Sequence, residues 1–228
     1  MCGRYSISND LVEFLTQLGI ENIDAELNPR YNIAPMQMAP VVMQEDGARV
    51  LRGMRWGLVP SWAKDPEIGN RMINARGETL AEKPSFRDAF KKRRCCVVTD
   101  GFYEWYQPPG EKAKIPIRFV MKDRRPFLLA GLWEQWRQPD GGELRTFTIV
   151  TAEPNELLAR FHHRMAVILP TEKLGDWLDP QNQSTADLEK LLRPYPAGEM
   201  EAYPVSTRVN SPRNDSPEII EAQGDLFT

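Results

Sequence analysis

Histidine and cysteine are scarce in this chain of 228 residues: two histidines, adjacent at His162 and His163, and three cysteines, Cys2, Cys95 and Cys96. Neighbouring residues such as Cys95 and Cys96 form only strained disulfides, so a disulfide framework is not expected. With no spaced Cys or His pairs, the ligand set of a zinc centre is missing as well, and neither a metal nor a cofactor is expected. No apolar run is long enough to span a bilayer, and Asn9, Asp10 and Glu13 stand where a secretory leader would be apolar. No repeat and no linker interrupt the chain. A single domain over residues 1–228, cytoplasmic and monomeric, is therefore expected. A formal net charge of −3 argues against coating nucleic acid by bulk electrostatics, although it leaves room for local patches.

What is present suggests a sizeable core, with 41% hydrophobic and 9% aromatic residues. Leu11, Val12, Phe14, Leu15 and Leu18 recur at helical spacing, which predicts a helix over 8–18 with Ser8 or Asn9 as N-cap and Gly19 as its stop. Two runs, 41–43 and 49–51, flank Glu45-Asp46-Gly47 and predict a hairpin. Strand composition recurs at 95–98, 102–106, 115–121, 126–136, 147–151 and 166–169, divided by turn signals such as Pro108-Pro109-Gly110 and Asp140-Gly141-Gly142. Short helices are expected over 85–94, 154–161 and 184–192. The expected class is α+β, mainly antiparallel sheet curled toward a barrel with flanking helices. The last 15 or so residues, rich in Pro, Ser and acid, read as a mobile tail.

Three features carry chemistry. If Met1 is removed, Cys2 becomes a 1,2-aminothiol: the amine can condense with an aldehyde to an imine, and the thiol can add to that imine and close a thiazolidine. At their reference pKa values both groups are partly nucleophilic near neutral pH. Glu104, set among aromatics in Asp100-Gly101-Phe102-Tyr103-Glu104-Trp105, is a candidate for a raised pKa and proton transfer. His162 stands at a helix-to-strand junction. A run containing Lys83, Arg87, Lys91, Lys92, Arg93 and Arg94, opposed by Asp88, offers a basic face to an anionic partner.

The order of the segments says more than any one of them. Met1-Cys2-Gly3-Arg4, Arg30-Tyr31-Asn32-Ile33-Ala34-Pro35, Trp56-Gly57-Leu58-Val59-Pro60-Ser61-Trp62, Ile73-Asn74-Ala75-Arg76-Gly77-Glu78-Thr79, the Asp100 to Trp105 segment, His162-His163-Arg164-Met165, and Val205-Ser206 with Val209-Asn210 follow one another. In that order the chain resembles the SRAP (SOS response-associated peptidase) family of abasic-site-processing proteins. The resemblance spans nearly the whole chain. It implies a single SRAP-like domain that binds single-stranded DNA and crosslinks itself to abasic sites through Cys2, reaching the nucleoid when bound to damaged DNA. By position it makes Cys2 the nucleophile, Glu104 the catalytic carboxylate and His162 a second proton-handling group. Asn74 joins these at the abasic sugar, and DNA contacts are expected from Arg4, Asn32, Trp62, Asn74, Arg76, Phe86, Phe90 and Arg164. Self-processing that exposes Cys2 is compatible with the family's label. Two rivals remain at this point: an N-terminal-nucleophile thiol hydrolase, and a non-covalent single-strand binding module.

Overall fold

β-branched and aromatic runs divided by tight turns give fourteen strands among the described residues of the computed structural model, namely 2–8, 10–20 and 22–224. In chain order they are β1 (Tyr5–Ile7), β2 (Asn22–Asp24), β3 (Arg30–Ile33), β4 (Met38–Glu45), β5 (Ala48–Trp56), β6 (Asn74–Arg76) and β7 (Arg94–Thr99). They continue with β8 (Gly101–Tyr106), β9 (Ile115–Met121), β10 (Phe127–Arg137), β11 (Glu143–Ala152), β12 (Met165–Ala166), β13 (Ile168–Leu169) and β14 (Met200–Pro204). One antiparallel sheet has the order β14-β9-β8-β1-β3. The other runs β12-β11-β10-β7-β4-β5-β2. In it β5 also pairs in parallel with β11, through Arg55↔Thr146 and Trp56↔Phe147. That second pairing joins β11, β10, β7, β4 and β5 into a ring, so the sheet forms a partial barrel. Joined strands present no unpaired edge along the ring.

The predicted hairpin is β4 and β5, turning at Asp46 and Gly47 with φ of 51° and 82°. Two consecutive positive φ values match the right-handed twist of the flanking strands, and Gly at the second place takes that conformation without penalty. Inside, Trp56 stacks on Phe147 with centroids 6.2 Å apart and meets Tyr5 at 5.2 Å. Those rings join the barrel to the five-stranded sheet, and Cys2, Tyr5, Ile33, Phe102 and Phe119 belong to the same continuous core.

The helices are short: α1 (Val12–Gln17), α2 (Arg87–Lys92), α3 (Leu174–Leu178) and α4 (Thr185–Glu189). α1 starts later than predicted because the Ser8 hydroxyl, expected as a cap, is instead bonded to Asp100 at 2.5 Å; Asn9, the other expected cap, lies outside the described residues. α4 does start at its predicted cap, Ser184, whose hydroxyl accepts from Asp187 N–H at 3.4 Å. The stretch 154–161 forms only a 3-10 turn, Leu158–Arg160.

Two sequence readings are corrected by packing. The basic run is not one solvated face: Arg94 is buried in β7, where its guanidinium caps the carbonyls of Phe90, Lys91, Trp177, Asp179 and Asn182. Burial pushes its pKa down to about 10. Arg93 pairs with Glu134, leaving Lys83, Arg87, Lys91 and Lys92 exposed. Nor is the chain loose after Ser211. Asn32 Nδ2 donates to the carbonyls of Ser211 and Asn214 at 3.0 and 2.7 Å, and Asp215 accepts from the backbone of Tyr31 and Asn32. Ile219 is fully buried and Ala222 bridges Val205. Residues 225–228, the end of the expected tail, lie outside the described residues.

β1 is fastened by a buried polar cluster at the start of β8. Asp100 accepts from Ser6 Oγ at 2.6 Å, from Ser8 N and Oγ at 2.5 Å, and from Arg118 Nη2 at 2.9 Å. Truncating one member of a buried ion pair strands the other charge. Asp100→Ala should therefore destabilise the protein by about 3–5 kcal/mol in urea unfolding. A change within about 0.5 kcal/mol, the range of an ordinary surface substitution, would show that the cluster does not hold β1.

Candidate active site at the first strand

The residues before β1 are drawn along β8, because Tyr103 N–H donates to Arg4 O at 2.9 Å ahead of the Tyr5↔Phe102 pairing. Side chains alternate along β8, so Phe102 and Glu104 share one face while Tyr103 takes the other. Phe102 stacks on Phe119 in the main core with centroids 5.3 Å apart. Glu104 therefore faces inward, between the sheets, and is 3% exposed. Cys2, fully buried, lies in that core too. Its carbonyl accepts from Asn74 Nδ2 at 2.8 Å. Asn74 sits at the start of β6, paired with Ile149 of β11; Ala75 is buried on one face, and Asn74 and Arg76 share the other. The Oδ1 of Asn74 is buried with no hydrogen-bond partner.

Burial sets the electrostatics. It pushes the Cys2 thiol far above the ordinary cysteine range, and the Glu104 charge adds to the rise. The expectation of a thiol near its reference pKa is thereby corrected: in this seat it is held as S–H, leaning on Arg4 O at 3.9 Å. Burial likewise pushes Glu104 up to about 7, against the pull of the positive amino terminus. His162 moves the other way, down, because its half-buried ring is desolvated and the amino terminus is positive. His162 Nδ1 lies 3.0 Å from Arg164 N and 3.1 Å from Arg164 O, so it accepts from the one or donates to the other according to its tautomer. His162 and His163 are stacked, 4.3 Å between centroids.

The remaining expected residues divide. Arg76 is exposed, and Trp62 is 59% exposed in the loop after β5. That loop is fixed by Gly57, whose φ of 126° and close approach to the Gly69 carbonyl leave no room for a side chain. Phe86 is half-buried against the core. Phe90, expected to meet DNA, is fully buried and faces Trp177, so it cannot stack on a base. Asn32 is also fully buried, and its amide ties β3 to the backbone of Val209, Ser211 and Asn214. Arg164 is committed to Glu78, with bonds of 2.6 and 2.9 Å, and to Thr151 O. Arg4 donates to Asn32 Oδ1 and Val209 O, both at 2.7 Å, and lies 5.7 Å from the centre of the Trp105 ring. Asn32, Arg4 and Arg164 are thus each tied to other segments of the fold.

Some parts of this machinery carry no local signal in the sequence. Ser6 of β1, Arg118 of β9 and Asp100 between β7 and β8 reveal themselves only once paired. Trp105 Nε1–H donates to Asn210 Oδ1 at 2.6 Å, linking residues far apart in the chain. Tyr5 has a fully buried hydroxyl without a hydrogen-bond partner, and burial raises its pKa. Among the described residues no three His, Cys, Asp or Glu side chains cluster as a metal site requires, and no helix is long and apolar enough to cross a membrane.

Cys2 and Glu104 are both buried, Asn74 holds the Cys2 carbonyl, and all three stand in segments that follow the order of one family. The model of the SOS response associated peptidase (SRAP) family matches residues 1–212, and the chain belongs to that family. It is 46% identical to the abasic site processing protein YoqW of Bacillus subtilis, covering 97% of this chain and all of that protein. It is 37% identical to the abasic site processing protein HMCES of Gallus gallus, over 86% of this chain and 67% of that one. A crystal structure of a Bacteroides thetaiotaomicron protein superposes with a TM-score of 0.86 at 29% identity, covering 97% of this chain and 100% of that one.

The Glu104 shift has a consequence for stability. A carboxyl whose pKa is raised on folding binds its proton more tightly in the folded state, so stability is fullest below the unfolded value of 4.5 and falls as pH rises through about 7. Glu104→Gln should remove that fall. Between pH 5 and 8 the variant should gain about 2.5 kcal/mol on the parent in denaturant unfolding. Parallel pH curves would place Glu104 in a wetter setting than its burial indicates.

Proposed function

We propose that this protein binds single-stranded DNA and captures abasic sites as a covalent thiazolidine on Cys2, shielding them during the response to DNA damage. The observation that carries the reading is the seat of Cys2: its carbonyl is held by Asn74, whose buried Oδ1 lacks a donor, on the side of the sheet to which Glu104 points. A site short of one donor suits an amine or hydroxyl arriving with the substrate. The names of the curated relatives support the same substrate class.

The steps follow from the protonation states. Once Met1 is lost, the unprotonated α-amine of Cys2 adds to the C1′ aldehyde of the open sugar; a C–N bond forms and the carbonyl oxygen becomes a hydroxyl. Glu104, whose burial raises its pKa to about 7, gives its proton to that hydroxyl, water leaves and an iminium remains. The thiol then adds to the iminium carbon; the S–C bond forms and the S–H proton passes to the Glu104 carboxylate. The ring nitrogen ends as a neutral secondary amine. His162 serves the earlier step as its imidazolium: it gives a proton to the sugar ring oxygen as the C1′–O bond of the closed form breaks, and the C1′ hydroxyl gives its proton to water, leaving the aldehyde. Arg76, Trp62 and the exposed Lys83, Arg87, Lys91 and Lys92 are the groups left to meet a strand, by charge and by stacking.

An oligonucleotide with one abasic site should give an adduct that survives denaturing electrophoresis, and intact mass should show a chain without Met1. Cys2→Ala should abolish the heat-stable adduct and leave single-strand affinity within about twofold, since the lost group makes no phosphate contact. A stable adduct from that variant would assign the chemistry elsewhere, while binding without any adduct in the parent would favour the non-covalent module.

The His162 role has its own readout. His162→Ala should slow single-turnover crosslinking on a natural abasic site by about a hundredfold. On an oligonucleotide carrying a permanently open aldehyde it should have little effect. Equal impairment on both substrates would remove ring opening from His162.

A further inference from the structure

Both histidines of the chain lie side by side, with ring centroids 4.3 Å apart and 26° between their planes. The backbone makes this stack. His162 N–H donates to Leu158 O at 2.9 Å, which ties the residue to the 3-10 turn before it. On its other side, His162 Nδ1 lies 3.0 and 3.1 Å from the backbone N and O of Arg164, so the chain curls around the ring with His163 at the tip of the curl. His162 is half-buried and His163 is exposed. Phe161, the residue before them, meets Tyr106 and Phe119 edge-on. The reaction set out above uses His162 and leaves its neighbour without a part.

We propose that His163 is a positioning residue for the proton that His162 gives to the sugar: a charge on the exposed ring makes a charge on its stacked neighbour easier to lose. This role rests on the reading of His162 as the acid that opens the sugar. Two imidazoles in contact take up protons as a pair rather than singly. Water solvates a charge on the exposed ring better than on the half-buried one, so the first proton rests outward. At 4.3 Å two unit charges repel enough, even with the dielectric of water, to move a titration by about 0.7 pH unit. The other charged groups near His162 do not offset this. The amino terminus and Arg164 are both positive and act on it in the same direction. Glu78 is taken up by the Arg164 fork, and Arg160 of the preceding turn lies over Phe161. An imidazolium held so loosely is the stronger acid, and it passes its proton to an ether oxygen more readily than an isolated histidine would.

The first measurement needs no DNA. With two histidines in the chain, the full-length protein gives two imidazole signals in NMR, and the one lost in His163→Phe belongs to His163. That variant keeps a ring against His162 but can carry no charge. The His162 titration should rise by about 0.5–1 pH unit in it at low ionic strength. A rise below about 0.2 unit overturns the proposal. The second measurement divides the single-turnover crosslinking rate on a natural abasic site by the rate on a permanently open aldehyde. The amine step is common to both substrates, so the ratio reports ring opening alone. In the parent it should fall as pH rises and His162 loses its charge. In His163→Phe the fall should lie higher by about the same 0.5–1 unit. A fall that stays in place overturns the proposal even where the NMR titration has moved. A ratio independent of pH in both proteins would instead remove the acid role of His162 itself, and the use of the coupling with it.

Discussion

A strand of three residues, Tyr5–Ile7, keeps its place between β8 and β3 with only two registered pairs on each side. So short a ladder fixes position weakly by itself, and a slip by one residue would turn every side chain to the opposite face. The constraint comes from side chains: Tyr5 is pressed under Trp56, while Ser6 and Ser8 are held by the Asp100–Arg118 pair. A buried ion pair is a poor source of net stability, but it accepts very few arrangements of its partners. Cys2 lies three residues before that anchor, so its location is set by the cluster more than by anything Cys2 itself contacts.

From that placement comes an order of events. A thiol in the core, its pKa driven up by desolvation and by Glu104, is a poor first nucleophile, because the thiolate is the reactive form. A free α-amine has a reference pKa of about 7.7–8.0, so part of it is unprotonated near neutral pH. In the proposed reaction the amine therefore acts first, and burial protects the thiol until an iminium stands beside it. Burial of the carboxylate serves the same sequence, since a group near pH 7 can give a proton in one step and take one back in the next.

Elements written in local pattern were legible in the sequence. The β4–β5 hairpin needed only Asp46-Gly47 between two apolar runs, and α4 needed only Ser184. Where distant partners competed for a residue, local reading failed. Ser8 looked like a helix cap, but Asp100, far along the chain, claimed it. Arg93 and Arg94 looked like a solvated run until β7 carried Arg94 into the core to cap five carbonyls. The segments after Ser211 had a disordered composition, yet Asn32 and Asp215 supplied bonds that composition cannot reveal. The site divided in the same way. The chemistry proposed at Cys2, Glu104 and His162 rests on residue type and segment order, whereas Phe90 was given an outward role that its burial denies, and Asn32 and Arg164 have partners within the fold that residue type does not reveal.

The same burial bears on how a lesion would be told from an intact nucleotide under the proposed reaction. Cys2 and Glu104 lie below the surface, flanked by Asn74 and by β8, so a C1′ atom must enter the gap between the sheets to meet the amine. A nucleotide that keeps its base carries a rigid plane at that very carbon. Admitting it would require displacing Tyr5, Phe102 or Trp56, which are packed to interior density and yield little. An abasic sugar has no such plane. Shape thus filters first, and the second filter is chemical, since only an opened sugar presents an aldehyde to the amine. Neither filter reads a base edge, which fits a site whose inward polar groups are a thiol, a carboxyl and one amide.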